Sequence, residues 1–97
     1  MKEIQRRYKV GQGLSIYRDG SSIEIKVIDL VPADKEAILE IRNDENIRQI
    51  KLTRESNRFS YEGIRLRLTR SYRNRGRSVP IACEIPNTYT ATPTYSN

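Results

Sequence analysis

Three segments of the sequence alternate between apolar and polar residues, and this pattern restricts the fold more than any other feature. The apolar positions of these segments are Ile23, Ile25 and Val27, then Ile50 and Leu52, then Ile64, Leu66 and Leu68. A period of two residues is that of a β-strand with one buried face. We therefore expect strands as the main elements of this chain.

Turn-forming residues separate these strand-like segments at intervals of about ten residues, which is typical of successive antiparallel strands. Gly, Pro, Asn and Asp cluster at residues 11–13, 18–22, 31–34 and 43–46. The pattern predicts an all-β fold. We expect a small antiparallel sheet of five to seven strands, barrel-like, that forms a single domain over residues 1–86.

The C-terminal segment differs in composition from the rest of the chain. Residues 87–97 are polar, rich in threonine and interrupted by Pro93. Such a segment has too little apolar surface to offset the entropy lost on ordering. We expect a tail that is mobile or becomes ordered on a partner.

The absence of histidine excludes several classes of function. None of the 97 residues is histidine, and Cys83 is the single cysteine. Histidine-dependent hydrolases, the usual zinc sites and an internal disulfide are therefore excluded. Cys83 lies in an apolar segment and is expected to pack as a small apolar residue. We expect no catalytic residue, metal or cofactor, and, without an apolar run long enough to cross a bilayer, a cytoplasmic location.

Positive charge is concentrated in one part of the chain. The net charge is +6, and six arginines but no acidic residue lie between Arg65 and Arg77. An RNA-binding arm typically contains arginines that bind phosphates, a tyrosine that stacks on bases and a glycine that gives the backbone freedom. A solvated, flexible loop has the same composition. The candidate residues of this basic surface are Arg65, Arg67, Arg70, Tyr72, Arg73, Arg75 and Arg77.

The N-terminal part of the chain resembles a known family. Residues 1–7 read Met-Lys-Glu-Ile-Gln-Arg-Arg, residues 10–16 read Val-Gly-Gln-Gly-Leu-Ser-Ile, and residues 50–55 read Ile-Lys-Leu-Thr-Arg-Glu. In this order they resemble the first, second and fifth strands of the CsrA/RsmA family of carbon storage regulators. The resemblance covers residues 1–55, and residues 56–86 form an extension with the basic loop. Lys2 and Glu3 depart from the family, which is apolar at those positions.

The resemblance implies a dimeric RNA-binding protein. In this family the strands of a homodimer interleave, and the first strand of one subunit lies beside the fifth strand of the other. Relatives bind single-stranded GGA in hairpin loops of messenger RNA and block translation. The positions that match the family's RNA-binding residues are Ile4, Arg6, Arg7, Leu52, Thr53 and Arg54. Arginine can hold a phosphate or a guanine edge with two hydrogen bonds, which agrees with this assignment.

Two classes of function remain open at this point. The first is an RNA-binding post-transcriptional regulator of translation. The second is a small all-β interaction protein from a phage or mobile element, which would bind an acidic host or virion protein, through its basic face or through residues 56–97. Ile4 and Leu52 could equally be core residues, because Leu52 alternates in phase with Ile50.

Overall fold

The regular structure of this protein is built from β-strands. The computed structural model describes residues 1–31, 36–69 and 78–94. Its strands are β1 (Lys2–Lys9), β2 (Gly13–Arg18), β3 (Ser21–Val31), β4 (Glu36–Arg42), β5 (Ile47–Leu52), β6 (Arg58–Tyr61), β7 (Ile64–Leu68), β8 (Ser78–Ile85) and β9 (Thr90–Thr94). The all-β fold is therefore confirmed. No helix in the described ranges is long and apolar enough to cross a membrane.

The strands form two antiparallel sheets. One sheet has four strands in the order β1-β8-β7-β6, and the other has five in the order β5-β4-β3-β2-β9. The chain passes between the sheets after β1, after β5 and again after β8. The inner faces of the two sheets bury one common hydrophobic core, so the architecture is a β-sandwich.

The core consists of the alternating apolar side chains of both sheets. Ile25 and Leu39 of the five-stranded sheet share an interior space with Tyr8, Leu66 and Ile81 of the four-stranded sheet. All of these side chains are buried. Burying one large apolar side chain contributes roughly 1.5–3 kcal/mol, so this shared interior holds the two sheets together.

Cys83 belongs to this core. It is 0% exposed, and burial raises the pKa of its thiol to about 12. At neutral pH the thiol is protonated and has no nucleophilic character. The prediction that Cys83 packs as a small apolar residue is confirmed.

Two hairpins have two-residue turns in the left-handed backbone region. Residues 19–20 (Asp-Gly) join β2 to β3, and residues 62–63 (Glu-Gly) join β6 to β7, with positive φ at all four positions. This conformation matches the twist of the flanking strands and favours glycine. Arg18 Nη2 lies 2.7 Å from Glu62 Oε2, and Arg18 Nη1 donates a hydrogen bond to the Tyr89 hydroxyl. These contacts join the turn of one sheet to that of the other.

The number of strands corrects the sequence-based prediction. The described residues form nine strands in two sheets, whereas five to seven strands in one sheet were expected. The two strands that the sequence did not indicate are β6 and β9. β6 has only four residues, which is too short for a period to be recognised, and β9 lacks large apolar residues.

The expected C-terminal tail is also corrected in part. Thr90–Thr94 form β9, which pairs antiparallel with β2 at the end of the five-stranded sheet. The hydroxyls of Ser15 and Thr94 lie 2.8 Å apart. Threonine favours strands. Pairing with β2 supplies backbone hydrogen bonds, which stabilise β9 although it has little apolar surface. Residues 95–97 lie outside the described part of the chain.

β1 is an end strand that pairs with its own chain. It pairs with β8 along its whole length, from Lys2 opposite Ile85 to Lys9 opposite Ser78, without a bulge. On the other edge of β1 no strand is present within the described ranges. The interleaved dimer implied by the resemblance stays a prediction.

The backbones of β2 and β3 approach each other closely at Gly13. A Cβ atom at this position would lie 1.7 Å from the carbonyl oxygen of Ile25 on β3. We expect Gly13→Ala to lower the free energy of unfolding by about 3 kcal/mol or more, because the backbones of β2 and β3 must separate. Urea denaturation measures this change.

Gly20→Ala is the matched control. A Cβ atom at Gly20 meets open space, but its φ of +79° is strained for alanine. We expect a loss of about 1–2 kcal/mol for this variant. Equal losses for the two variants would contradict the close approach at Gly13.

Candidate nucleic-acid interface

The outer face of the four-stranded sheet is strongly basic. Side chains alternate along each strand, so the residues between the core positions point outward. Five basic and two acidic side chains have this placement, and we call the surface that they form the basic face. Its charged residues are Arg7, Lys9, Arg58, Arg65 and Arg67, with Glu3 and Glu84.

The outer face of the five-stranded sheet has a different charge balance. Its charged residues are Lys26, Arg42 and Lys51, with Glu24, Asp29, Glu36 and Glu40. Two of these bases lie beside acids, since Arg42 is 3.8 Å from Glu40 and Lys51 is 3.7 Å from Glu36. The excess of positive charge among the described strands is therefore on one side of the sandwich.

Two arginines of the basic face oppose each other directly. Arg58 on β6 is the register partner of Arg67 on β7. The Leu68 amide donates to the Asn57 carbonyl, so the alternation of the antiparallel ladder makes Arg58 and Arg67 a non-hydrogen-bonded pair. Their Cα atoms are then about 4.5 Å apart, the closest cross-strand spacing. Like charges directly opposite each other destabilise a sheet by up to about 1 kcal/mol.

The positive charges of the basic face are only partly neutralised by carboxylates. Arg67 reaches across β8 to Glu3 on β1, with Nη2 2.7 Å from Oε1, and it passes the small side chain of Ala82. Arg58 and Arg65 have no carboxylate within 4 Å among the described residues. These two guanidinium groups are therefore available to an anion.

The basic face continues to the end of the β7–β8 hairpin. Arg7 Nε donates to the Ser78 hydroxyl at 3.0 Å, and a shallow groove beside it is lined by Arg6 and Thr69. The chain leaves the described part after Thr69 and re-enters it at Ser78. The candidates Arg70, Tyr72, Arg73, Arg75 and Arg77 lie outside the described residues.

Three residues of the family-derived set have side chains that are buried or half-buried. Leu52 is 1% exposed and packs in the core, so its side chain is not accessible to RNA. Ile4 is half-buried against the same core. Thr53 is half-buried, and its hydroxyl accepts a hydrogen bond from the Ser56 amide in the turn after β5. Leu52 alternates in phase with Ile50, and this phase places its side chain on the buried face of β5.

The arginines of the family-derived set are exposed and lie on different segments of the chain. Arg6 and Arg7 are on β1, whereas Arg54 follows β5 and precedes β6. β1 and β6 are the two end strands of the same sheet, separated by three strand spacings, or about 14 Å. Arg6 and Arg7 therefore share a strand with each other but not with Arg54.

Sequence reasoning identified Arg65 and Arg67 but missed Arg58. Arg65 and Arg67 lie on one face, as their spacing predicted, because β7 alternates without a bulge. Arg58 could have been found from the Glu-Gly pair at residues 62–63, because a two-residue turn there places Arg58 opposite Arg67. The sequence feature that indicated the position of Arg58 was therefore a turn and not an apolar period.

The described residues contain no group of three or more Cys, Asp or Glu side chains that could hold a metal ion. Comparison with protein-family models, with curated proteins and with solved structures found no match.

The opposition of Arg58 and Arg67 makes a prediction about stability. We expect Arg58→Thr to raise the free energy of unfolding by a few tenths to about 1 kcal/mol at low salt, because a repulsive pair is removed. The gain should shrink at high salt, which screens exposed charges. Arg65→Thr is the control, since Arg65 is the register partner of Glu84 and should not gain stability. Equal effects of the two variants in urea denaturation would contradict the repulsion.

Proposed function

We propose that this protein binds single-stranded RNA, whose phosphates lie on the basic face. The observation that carries this proposal is the unneutralised positive charge of the basic face, where neither Arg58 nor Arg65 has a carboxylate within 4 Å among the described residues. Arg58 also lies opposite a third arginine, Arg67, in the β6–β7 register. A phosphate accepts hydrogen bonds from arginine in a fixed fork geometry, which makes arginine well suited to this contact.

The shape of the basic face also favours an extended polyanion. The charges are distributed over β6, β7 and β1, which span about 14 Å across the sheet. Arg65 and Arg67 lie about 6.6 Å apart along β7, as side chains two residues apart do. An array of this size can contact several successive phosphates, whereas a single small anion would use only part of it.

The described residues of the basic face hold phosphates better than they read bases. No tyrosine or phenylalanine points outward from β6, β7, β8 or β1, because Phe59 and Tyr61 pack against the core. Without an aromatic platform, most of the affinity arises from charge. Regulation of translation, the role that the resemblance implies, requires that the protein occupy a single-stranded segment of messenger RNA.

Affinity for RNA should depend steeply on salt and on the unpaired arginines. We expect Arg58→Ala and Arg65→Ala each to weaken binding by about tenfold, because each loses a charge-assisted hydrogen bond. Each should also flatten the log–log salt dependence by about 0.7, the value for one phosphate contact on a single strand. Fluorescence anisotropy with a labelled RNA hairpin at several salt concentrations measures both quantities.

Arg42→Ala is the matched control for this experiment. It removes an exposed arginine from the outer face of the five-stranded sheet and should leave RNA affinity unchanged. The hairpin is used with a GGA loop and with a CCU loop, and Arg58→Ala should weaken both alike because phosphates carry no sequence. Wild-type affinity without salt dependence, or equal effects of Arg42→Ala and Arg58→Ala, would contradict the proposal and favour an acidic protein as the partner.

A further inference from the structure

The open edge of β1 presents backbone groups from every second residue. In an antiparallel ladder, the amide and carbonyl of one residue point to the same neighbouring strand, and successive residues alternate. The Thr69 amide donates to the Pro80 carbonyl, so the even-numbered residues of β8 face β7 and the odd-numbered residues face β1. In the β1–β8 register, Ile81 lies opposite Arg6. The even-numbered residues of β1 therefore bond to β8, and the odd-numbered residues face the open edge.

Lys9 supports this assignment independently. Its amide donates to the Gln12 side-chain oxygen and its carbonyl accepts from the Gln12 amide, so Lys9 uses neither group toward β8. The turn at Gln12 satisfies the edge at this end of β1. The backbone groups of Glu3, Gln5 and Arg7 are then the ones that remain on the open edge.

We propose that two copies of this chain associate through β1, antiparallel, with the two-fold axis at Gln5. In this register Gln5 lies opposite Gln5 of the second copy, and Glu3 lies opposite its Arg7. The two four-stranded sheets join into one sheet of eight strands, and the two basic faces lie on the same side. The association is a property of the edge and does not depend on RNA binding.

Charge complementarity selects this register. A continuous sheet with its outer faces on one side requires residues of the same parity to oppose each other. Centred on Gln5, the pairing gives two Glu3–Arg7 pairs of opposite charge, with three pairs of residues exchanging hydrogen bonds. On the inner face Ile4 meets the aliphatic stem of Arg6.

The neighbouring registers are less favourable. A register centred on Arg6 places Arg6 opposite Arg6 of the second copy, which are like charges. It also pairs Glu3 with Lys9, whose backbone is already bonded to Gln12. Centred on Ile4, it pairs Glu3 with Gln5 and has no pair of opposite charges on the outer face. The register centred on Gln5 has none of these defects.

The other end strands of the described sheets are poorer edges. β6 has four residues, and β9 has five and contains Pro93, which lacks an amide hydrogen. β5 has six residues. β1 has eight, contains no proline, and has no bulge in its pairing with β8. A long edge strand without proline or a bulge leaves a row of unpaired backbone groups that can pair with another strand.

A cross-link at the two-fold axis tests the register. Residues that exchange hydrogen bonds have Cα atoms about 5.5 Å apart, within the range that a disulfide spans. We expect Gln5→Cys to form a covalent dimer under mild oxidation, resolved on a non-reducing gel. Cys83 does not compete, because it is buried with a pKa of about 12.

Gln49→Cys is the matched control, an exposed glutamine on the end strand β5 of the other sheet. We expect it to remain monomeric on the same gel. Absence of a cross-link with folded Gln5→Cys would overturn the proposal. A mixed sample in which Gln5→Cys cross-links to Gln49→Cys more readily than to itself would also overturn it, in favour of the interleaved arrangement.

Exchange of the two charges tests the pairing without a cross-link. We expect Glu3→Arg and Arg7→Glu each to raise the dimer dissociation constant by about tenfold or more, because two attractive pairs become repulsive. The double variant restores opposite charges and should return to within about threefold of wild type. Analytical ultracentrifugation measures the dissociation constants, and circular dichroism checks folding of each variant. A monomeric wild type, or a double variant that dimerises no better than either single variant, would overturn the proposal.

Discussion

The structure depends on burying the inner face of the β7–β8 hairpin against the five-stranded sheet. Ile64, Leu66 and Ile85 of this hairpin are each at most 2% exposed, and the core that they enter includes residues from both sheets. β1 and β6 join the sandwich by pairing with the two sides of this hairpin. Because burial of the inner face supplies the stability, the outer face of the same strands is free to carry charge.

This separation explains how the sheet can hold arginines that repel each other. A cross-strand pair contributes only about 0.2–1 kcal/mol, whereas one buried Leu or Ile contributes roughly 1.5–3 kcal/mol. The Arg58–Arg67 pair therefore reduces stability by less than Leu66 alone provides. An acid or a threonine at position 58 would stabilise the sheet more than arginine does, which agrees with the binding role proposed for Arg58.

The sequence was informative where a buried face was long enough to repeat. The positions Ile23, Ile25 and Val27 predicted β3, and Ile64, Leu66 and Leu68 predicted β7, because each element shows its period of two at least twice. β6 and β9 were missed, since β6 shows its apolar period only once, from Phe59 to Tyr61, and β9 is held by pairing with β2. At the site, spacing placed Arg65 and Arg67 on one face. The position of Arg58 depended on the turn at residues 62–63, which sets the register of the β6–β7 hairpin, and not on an apolar period.

Glu3 connects the basic face to the proposed dimer. Glu3 is the single acid of β1, and its negative charge would repel a phosphate on the basic face. Its carboxylate already accepts a hydrogen bond from Arg67. A carboxylate has two oxygens, so Glu3 can keep Arg67 and also bind Arg7 of a second copy. In the dimer each Glu3 is then flanked by two guanidinium groups, which reduces its repulsion of a phosphate. The dimer does not require RNA, but under the proposed function each should strengthen the other, because the carboxylate that aligns the two β1 strands would otherwise repel the bound phosphates.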